Sequence, residues 1–254
     1  MIISNHTIGY IHDRLWNPKD SMRRSSAFLW AIRDPFDRIA SAFYMQHPEN
    51  SNNNCKRMEL RKDTGFLFLF YCQCFLHVDN FVSSLQQNAS EILQVNKITN
   101  ETFACSQLAK VIINPQGKSI IDHKPCSRYG HIAMNYGHFY HQTSAKFPRK
   151  DIVSIRTEYL WDDLQHLEHL LGGNATVTKD TQFTETHGSE HFRLKRELTD
   201  PSLLQVLCCA IEQEVKLYSE LLKRAINIKE WQKRESLEAL SKRCNLDMCN
   251  NKGQ

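Results

Sequence analysis

The sequence predicts an α/β protein with one domain, in which a central parallel sheet is flanked by helices. Ala27–Ile32 is an apolar run long enough for one buried strand, and residues 152–155 fit a second, short buried strand. Residues with helical period follow each run, and strands that alternate with helices favour a parallel sheet. The chain has 254 residues, of which 41% are hydrophobic, so it is long enough to bury one sizeable core.

The N-terminal half predicts two strands, a helix and a less regular region. Residues 1–46 fit the order strand, loop, strand, helix, with the first strand near residues 2–7. Residues 66–87 carry apolar side chains near helical spacing, which indicates a buried helical region. Residues 88–128 are polar and irregular. Residues 131–146 return to a helical pattern that is rich in aromatic side chains.

The C-terminal half predicts two amphipathic helices and a polar end. Residues 159–171 place four leucines on one face, which we expect to point inward, and Gly172 ends that helix. A long helix with an apolar stripe follows over residues 200–222. Residues 228–254 are charged and rich in asparagine, which is typical of a frayed tail. The predicted domain therefore spans residues 1–227.

The turn after the first long apolar run carries side chains suited to an anion. Asp34 is a good N-cap and Pro35 suits the first helical position, so a helix begins directly after Arg33. In open α/β sheets, ligands bind outside the carboxyl ends of the strands. An arginine fork together with a hydroxyl can hold a phosphate. The pattern therefore predicts a phosphate site formed by Arg33 and Ser41.

The same segment resembles a motif of a known enzyme family. The pattern Arg-Asp-Pro-(x)2-Arg-(x)2-Ser-(x)2-Tyr, from Arg33 to Tyr44, resembles the 3′-phosphate-binding motif of sulfotransferases that use 3′-phosphoadenosine-5′-phosphosulfate (PAPS). The resemblance implies a P-loop-like sulfotransferase fold with Arg33 and Ser41 on the 3′-phosphate. The alternative is that Arg33 and Asp34 only cap a junction between strand and helix, with Ser41 on the helix surface.

Later segments are similar to the Golgi and membrane-type carbohydrate branch of that family. An aromatic stretch at residues 135–140 precedes a strand and an acidic-plus-leucine signature, and residues 207–227 resemble the C-terminal pattern of the branch. The resemblance implies that Tyr136 packs against the adenine and that Arg193 closes over the 3′-phosphate. The alternatives are a core aromatic residue for Tyr136 and a solvated charge for Arg193.

The resemblance also implies the reaction and its donor. A sulfonate group would pass from PAPS to a hydroxyl or amino group of an acceptor, most simply a glycan, by in-line displacement. Such a reaction needs a general base, and histidine has a suitable pKa. His6, at the end of the first predicted strand, is the expected base, with His12 as the alternative. No metal-ligand spacing is present, so we expect no metal.

One expected part of the donor site is missing from the sequence. The family grips the 5′-phosphosulfate with a loop that should lie some tens of residues before His6, and no such loop precedes it here. We therefore expect an N-terminally incomplete sulfotransferase domain that lacks its first strand and phosphate loop. The alternative is a truncated, non-catalytic protein with this fold that acts as a binding domain.

Cysteines and glycosylation signals indicate the compartment. The chain has nine cysteines, and Cys105 and Cys126 bracket a polar loop that a disulfide would close. Four sequons begin at Asn5, Asn88, Asn100 and Asn174. These features favour the Golgi lumen or another secretory compartment, with a membrane anchor upstream of the chain; free cysteines in a cytoplasmic protein are the alternative. The net charge of +4 is too small to indicate nucleic acid.

Overall fold

The structure is a computed structural model that describes residues 26–50, 55, 68–86, 93–95, 102–114, 131–141, 143–174 and 198–250. The expected mixed α/β class is confirmed, with helices predominating. The strands are β1 (Ala27–Ile32), β2 (Leu93–Val95), β3 (Thr102–Ala104) and β4 (Asp151–Arg156). The α-helices are α1 (Pro35–Met45), α2 (Val78–Ser83), α3 (Cys105–Ile113), α4 (Tyr136–Tyr140), α5 (Leu160–Leu170), α6 (Pro201–Ala210), α7 (Glu212–Arg224), α8 (Glu230–Arg243) and α9 (Asp247–Asn250). A π-helix spans Phe68–Cys74, and short 3-10 turns span Pro48–Asn50 and Thr157–Tyr159.

Strands β1 and β4 pair in parallel, as the alternation of apolar runs and helices predicts. The register joins Ala27 to Asp151 at one end and Ile32 to Arg156 at the other. The chain after α7 continues the sheet on the other side of β4, where the N–H of Ile226 donates to the carbonyl oxygen of Ile152 at 2.9 Å. Strands β2 and β3 form a separate antiparallel pair.

The two parallel strands differ in burial. Residues 152–156 of β4 are all buried, because β4 has neighbours on both edges and packs against α5 and α7. In β1 the burial alternates: Trp30 and Ile32 face the core, whereas the side chain of Leu29 is 51% exposed. The prediction of a buried strand is therefore confirmed for the core-facing residues of β1 and wrong for its outward-facing ones. The strand predicted near residues 2–7 lies outside the described residues.

Helix α1 begins and packs as its sequence predicts. Asp34 is the N-cap, and its side chain accepts hydrogen bonds from the N–H groups of Phe36 at 2.9 Å and Asp37 at 3.3 Å. Pro35 occupies the first turn, where a missing N–H costs nothing. The buried face of α1 includes Phe43, which contacts an aromatic cluster from the π-helix and α2. The cluster members are Phe70, Tyr71, Phe75 and Phe81.

The leucine stripe of α5 does not face the core, contrary to the prediction. Leu160 and Leu171 are 38% and 48% exposed, and the buried residue of the helix is Asp163. Asp163 points inward because it forms an ion pair with the buried guanidinium of Arg156, at 2.6 Å. The predicted end of the helix is confirmed, since Gly172 adopts a φ of 82°, which favours glycine.

The predicted long C-terminal helix consists of two helices that share one apolar stripe. Ile211, with φ −110° and ψ 23°, separates α6 from α7 and remains buried at the break. Buried residues continue along the stripe on both sides of Ile211. They are Leu207, Val215, Tyr218, Leu221 and Leu222.

The prediction of a frayed tail after residue 227 is wrong for most of its length. Helix α8 packs against the rest of the protein and buries Gln232, Lys233, Ser236 and Leu240. Its buried surface is largely polar, and these polar groups have partners. Composition alone therefore indicated a solvated tail where a packed helix exists.

Four disulfides connect the described segments. They are Cys55–Cys72, Cys74–Cys105, Cys208–Cys244 and Cys209–Cys249. The expected bond between Cys105 and Cys126 is wrong, because the π-helix brings Cys74 against the first residue of α3 and Cys105 is used there. Cys126 lies outside the described residues. Several disulfides are compatible with a secretory protein.

Within the part of the chain that the structure describes, no helix is long and apolar enough to cross a membrane.

Candidate functional site

The candidate site is the turn between β1 and α1. Arg33 directly follows the last residue of β1 and lies at the carboxyl end of the parallel pair, where α/β sheets place ligands. Its side chain is half-buried. Among the residues that the structure describes, no carboxylate forms an ion pair with Arg33. As far as the described residues extend, its guanidinium is therefore available to an anion.

The backbone N–H groups at the start of α1 are already used. Asp34 accepts from Phe36 and Asp37 through its side chain, and its carbonyl oxygen accepts from the N–H of Arg38 at 2.8 Å. Pro35 has no N–H to offer. An anion at this turn must therefore be held by side chains and not by the end of the helix.

Ser41 supplies the second predicted contact. It lies seven residues after Asp34, so the two residues share one face of α1, about 10 Å apart along the helix axis. Its side chain is half-buried. Its hydroxyl makes no hydrogen bond to any described residue. Within the described residues, α1 thus leaves this hydroxyl without a hydrogen-bond partner, on the helix face that Ser41 shares with Asp34.

The hydroxyl of Tyr136 fixes the backbone of Arg33. It accepts a hydrogen bond from the N–H of Arg33 at 2.6 Å and donates one to the carbonyl oxygen of the same residue at 2.6 Å. Burial raises the pKa of Tyr136 above its ordinary value, so the hydroxyl keeps its proton and can donate. The ring stacks on Tyr218 at 6.3 Å. These contacts favour the core alternative for Tyr136 over a contact with adenine.

The second arginine of the motif has a structural partner. Arg38 forms a bidentate pair with Glu214 of α7, in which one of the two contacts measures 2.7 Å, and it also donates to the carbonyl oxygen of His131 at 2.9 Å. Glu214 is buried; burial raises the pKa of its carboxyl, and Arg38 opposes that effect. Arg38 therefore connects α1 to α7 and is not available to a ligand.

Two acidic residues stand beside Arg33 and share one partner. A guanidinium nitrogen of Arg243, in the last turn of α8, lies 2.9 Å from a carboxylate oxygen of Asp34 and 2.9 Å from one of Asp37. Burial raises the pKa of Asp34, and the nearby charge of Arg243 opposes that effect. The guanidinium of Arg243 also lies over the ring of Phe36, 4.9 Å from its centroid. Helix α8 thus contacts the candidate site directly.

A second arginine ends the neighbouring strand but serves the core. Arg156, the last residue of β4, is fully buried and binds both carboxylate oxygens of Asp163, at 2.6 and 2.9 Å. It also donates to the hydroxyl of Ser236 at 2.9 Å and to the carbonyl oxygen of Gln232 at 3.3 Å. Sequence reasoning missed this cluster, although an aspartate in the first turn after an arginine-ended strand was a possible signal.

Three predicted site residues lie outside the described residues. The expected base His6, its alternative His12 and the late-loop Arg193 belong to this group and stay predictions. The structure joins Tyr136 to the backbone of Arg33 and places Ser41 further along α1. Across the described ranges, no group of three or more histidine, cysteine or acidic side chains is arranged to hold a metal ion.

Comparisons with known proteins found no match to a family model, to a curated protein or to a solved structure. The residues of this chain and their arrangement are therefore the basis for assigning a function.

Proposed function

We propose that this chain belongs to a PAPS-dependent sulfotransferase and that Arg33 and Ser41 hold the 3′-phosphate of the donor. The observation that carries the proposal is the state of Arg33. Tyr136 fixes its backbone at the carboxyl end of a parallel strand, and its guanidinium has no carboxylate partner among the described residues. A half-buried arginine in such a place fits a fixed anion better than a surface role.

The proposed reaction assigns one task to each group. Arg33 binds two oxygens of the 3′-phosphate, and Ser41 donates one further hydrogen bond. The bond between the acceptor oxygen and sulfur forms while the bond between sulfur and the 5′-phosphate oxygen breaks. The proton of the acceptor hydroxyl passes to His6, or to His12 in the alternative. The product is 3′,5′-adenosine diphosphate, and no metal is required.

The finer parts of the proposal follow the sequence resemblance. We propose a P-loop-like sulfotransferase fold, which the parallel pairing of β1 with β4 supports. We also propose a glycan acceptor and a place in the Golgi lumen or another secretory compartment. The four disulfides support an oxidising compartment.

Binding of 3′,5′-adenosine diphosphate tests the site. We expect isothermal titration to detect binding to the wild type and a loss of affinity of about tenfold or more in Arg33→Ala, because a charge-assisted contact is removed. Arg149→Ala is the matched control: this arginine is exposed and precedes the opposite end of β4. If the wild type shows neither heat of binding nor a thermal shift at millimolar nucleotide, the proposal is wrong.

Transfer of labelled sulfate from PAPS to a panel of glycans tests catalysis. We expect His6→Ala to bind the nucleotide like the wild type and to lose about 100-fold or more in turnover, as removal of a general base does. His12→Ala serves as the comparison and should be active. Nucleotide binding without transfer to any acceptor would favour the non-catalytic binding domain.

A further inference from the structure

The proposed phosphate site contains an apparent electrostatic conflict. Arg33 carries one positive charge, but the next residue is Asp34 and a second carboxylate, Asp37, follows one turn into α1. Arg38 does not offset them, because Glu214 binds it. Two ionised carboxylates next to Arg33 would repel a phosphate, and repulsion between like charges is strong where water is partly excluded. Asp34 is in such a place, since its side chain is only 14% exposed.

The structure resolves this conflict with a residue from the far end of the chain. Arg243 lies 209 positions after Asp34 and places one guanidinium nitrogen 2.9 Å from both carboxylates. Phe36 supports the planar group from one face. The guanidinium of Arg243 thus forms ion pairs with two carboxylates at the N-terminus of α1.

The position of Arg243 is fixed covalently by its neighbour. Cys244 follows it directly and forms a disulfide with Cys208 of α6, a helix that also packs against α1. A second disulfide, Cys209–Cys249, joins α6 to α9, the short helix that follows Arg243 and contains Cys249. Because both bonds start from adjacent residues of α6, the end of α8 cannot move away from the turn without carrying α6 with it.

We propose that Arg243 is a positioning residue that makes the turn after β1 able to accept a dianionic phosphate, by neutralising Asp34 and Asp37. This inference depends on the proposed function of that turn and adds a role for α8. Arg243 does not bind the phosphate itself, since its charge is committed to the two carboxylates. Its contribution is to remove their repulsion and to hold Asp34 in its capping position.

Titration with 3′,5′-adenosine diphosphate at low ionic strength separates the possibilities. We expect Arg243→Ala to bind about tenfold or more weakly, since two carboxylates lose a charged partner. Arg243→Lys should bind almost like the wild type because it keeps the charge. Lys242→Ala is the matched control, as this lysine is exposed, precedes Arg243 in the same helix and forms no ion pair within the described residues.

A charge-balanced variant distinguishes this role from a merely structural one. Asparagine caps a helix as well as aspartate does, so Asp34→Asn and Asp37→Asn remove charge while the cap is kept. We expect the triple variant with Arg243→Ala to recover most of the lost affinity. A structural loss would not be rescued, because the contact of Arg243 with α1 stays absent.

The outcomes also separate this inference from the proposed function. A wild type that binds no nucleotide overturns both. A wild type that binds, with an Arg243→Ala variant that binds equally well, overturns the role of Arg243 alone. Failure of the triple variant to recover affinity also overturns it. If the single alanine variant does not fold, Arg243→Lys decides: a folded lysine variant with greatly weakened binding shows that charge is not what matters.

Discussion

At the scale of single residues, one hydroxyl controls the conformation of the candidate site. Tyr136 satisfies both backbone groups of Arg33, which would otherwise lie in a partly buried turn with no partner of their own in the described chain. Its ring is fixed in turn by Tyr218, whose hydroxyl donates to Glu158 at 3.1 Å. The position of Arg33 therefore depends on a short series of aromatic residues behind the sheet.

Tyr136→Phe tests this dependence. We expect the free energy of unfolding to fall by about 1–3 kcal/mol, because the substitution leaves the N–H and carbonyl of Arg33 without their partner. Nucleotide affinity should fall as well. Urea denaturation and titration measure the two effects. Tyr140→Phe is the control, since the hydroxyl of Tyr140 accepts one long bond from Arg224, at 3.3 Å. Equal losses in both variants would contradict the assigned role.

The sequence shows which residues can bind an anion but not what holds them. Arg33 and Ser41 follow from local signals: the end of an apolar run, an N-cap and helical spacing. The roles of Arg38 and Tyr136 depend on partners that lie 176 and 103 positions away, respectively. Nothing in a single sequence indicates such pairs, because many acidic and aromatic residues could meet the same need.

At the scale of secondary-structure elements, one buried ion pair joins three of them. Arg156 ends β4, Asp163 lies in α5, and Ser236 and the carbonyl of Gln232 come from α8. The guanidinium of Arg156 donates hydrogen bonds to these three buried residues. These bonds offset the free-energy cost of removing its charge from water. This cluster explains why α5 turns an aspartate inward and leaves leucines exposed.

Asp163→Ala should be among the most destabilising substitutions in the protein. It leaves a buried guanidinium without its partner, and breaking such a pair costs about 3–5 kcal/mol. Chemical denaturation measures the loss. The double substitution Arg156→Met with Asp163→Leu should recover much of it, because no buried charge remains. Asp162→Ala is the matched control, since Asp162 is the exposed neighbour on the same helix. A loss as small as that of the control would contradict this account.

Element prediction succeeded where the signal was local and failed where burial was polar. The cap and the apolar face of α1 are encoded within a dozen residues, and β4 carries three apolar residues, Ile152, Val153 and Ile155, close together. Helix α8 carries few apolar residues, and most of its buried positions are polar: Ser236 binds the distant Arg156, and the side chain of Gln232 binds the N–H of Lys229. A prediction from apolar periodicity therefore expects the residues of α8 to be exposed to solvent.

At the scale of the whole molecule, residues 230–250 are part of the packed fold and not a solvated tail. Helix α8 packs against Arg156, and Arg243 forms ion pairs in the turn between β1 and α1. Two cysteines of this region form disulfides with α6. The disulfides close segments of 36 and 40 residues. In the chain-entropy account, each such bond stabilises a fold by about 3–4 kcal/mol.

Removal of this region tests the arrangement. We expect a chain that ends at residue 228 to lose cooperative unfolding, because Arg156 would lose two hydrogen-bond acceptors, Cys208 and Cys209 would lose their partners, and the apolar side of α6 would be exposed. The control is a chain that ends at residue 250, which keeps α8, Arg243 and both disulfides. Urea denaturation, followed by circular dichroism, compares the two with the full chain. If residues after 228 were a solvated tail, all three chains would unfold with the same transition. If α8 is part of the fold, only the chain that ends at residue 250 unfolds like the full chain.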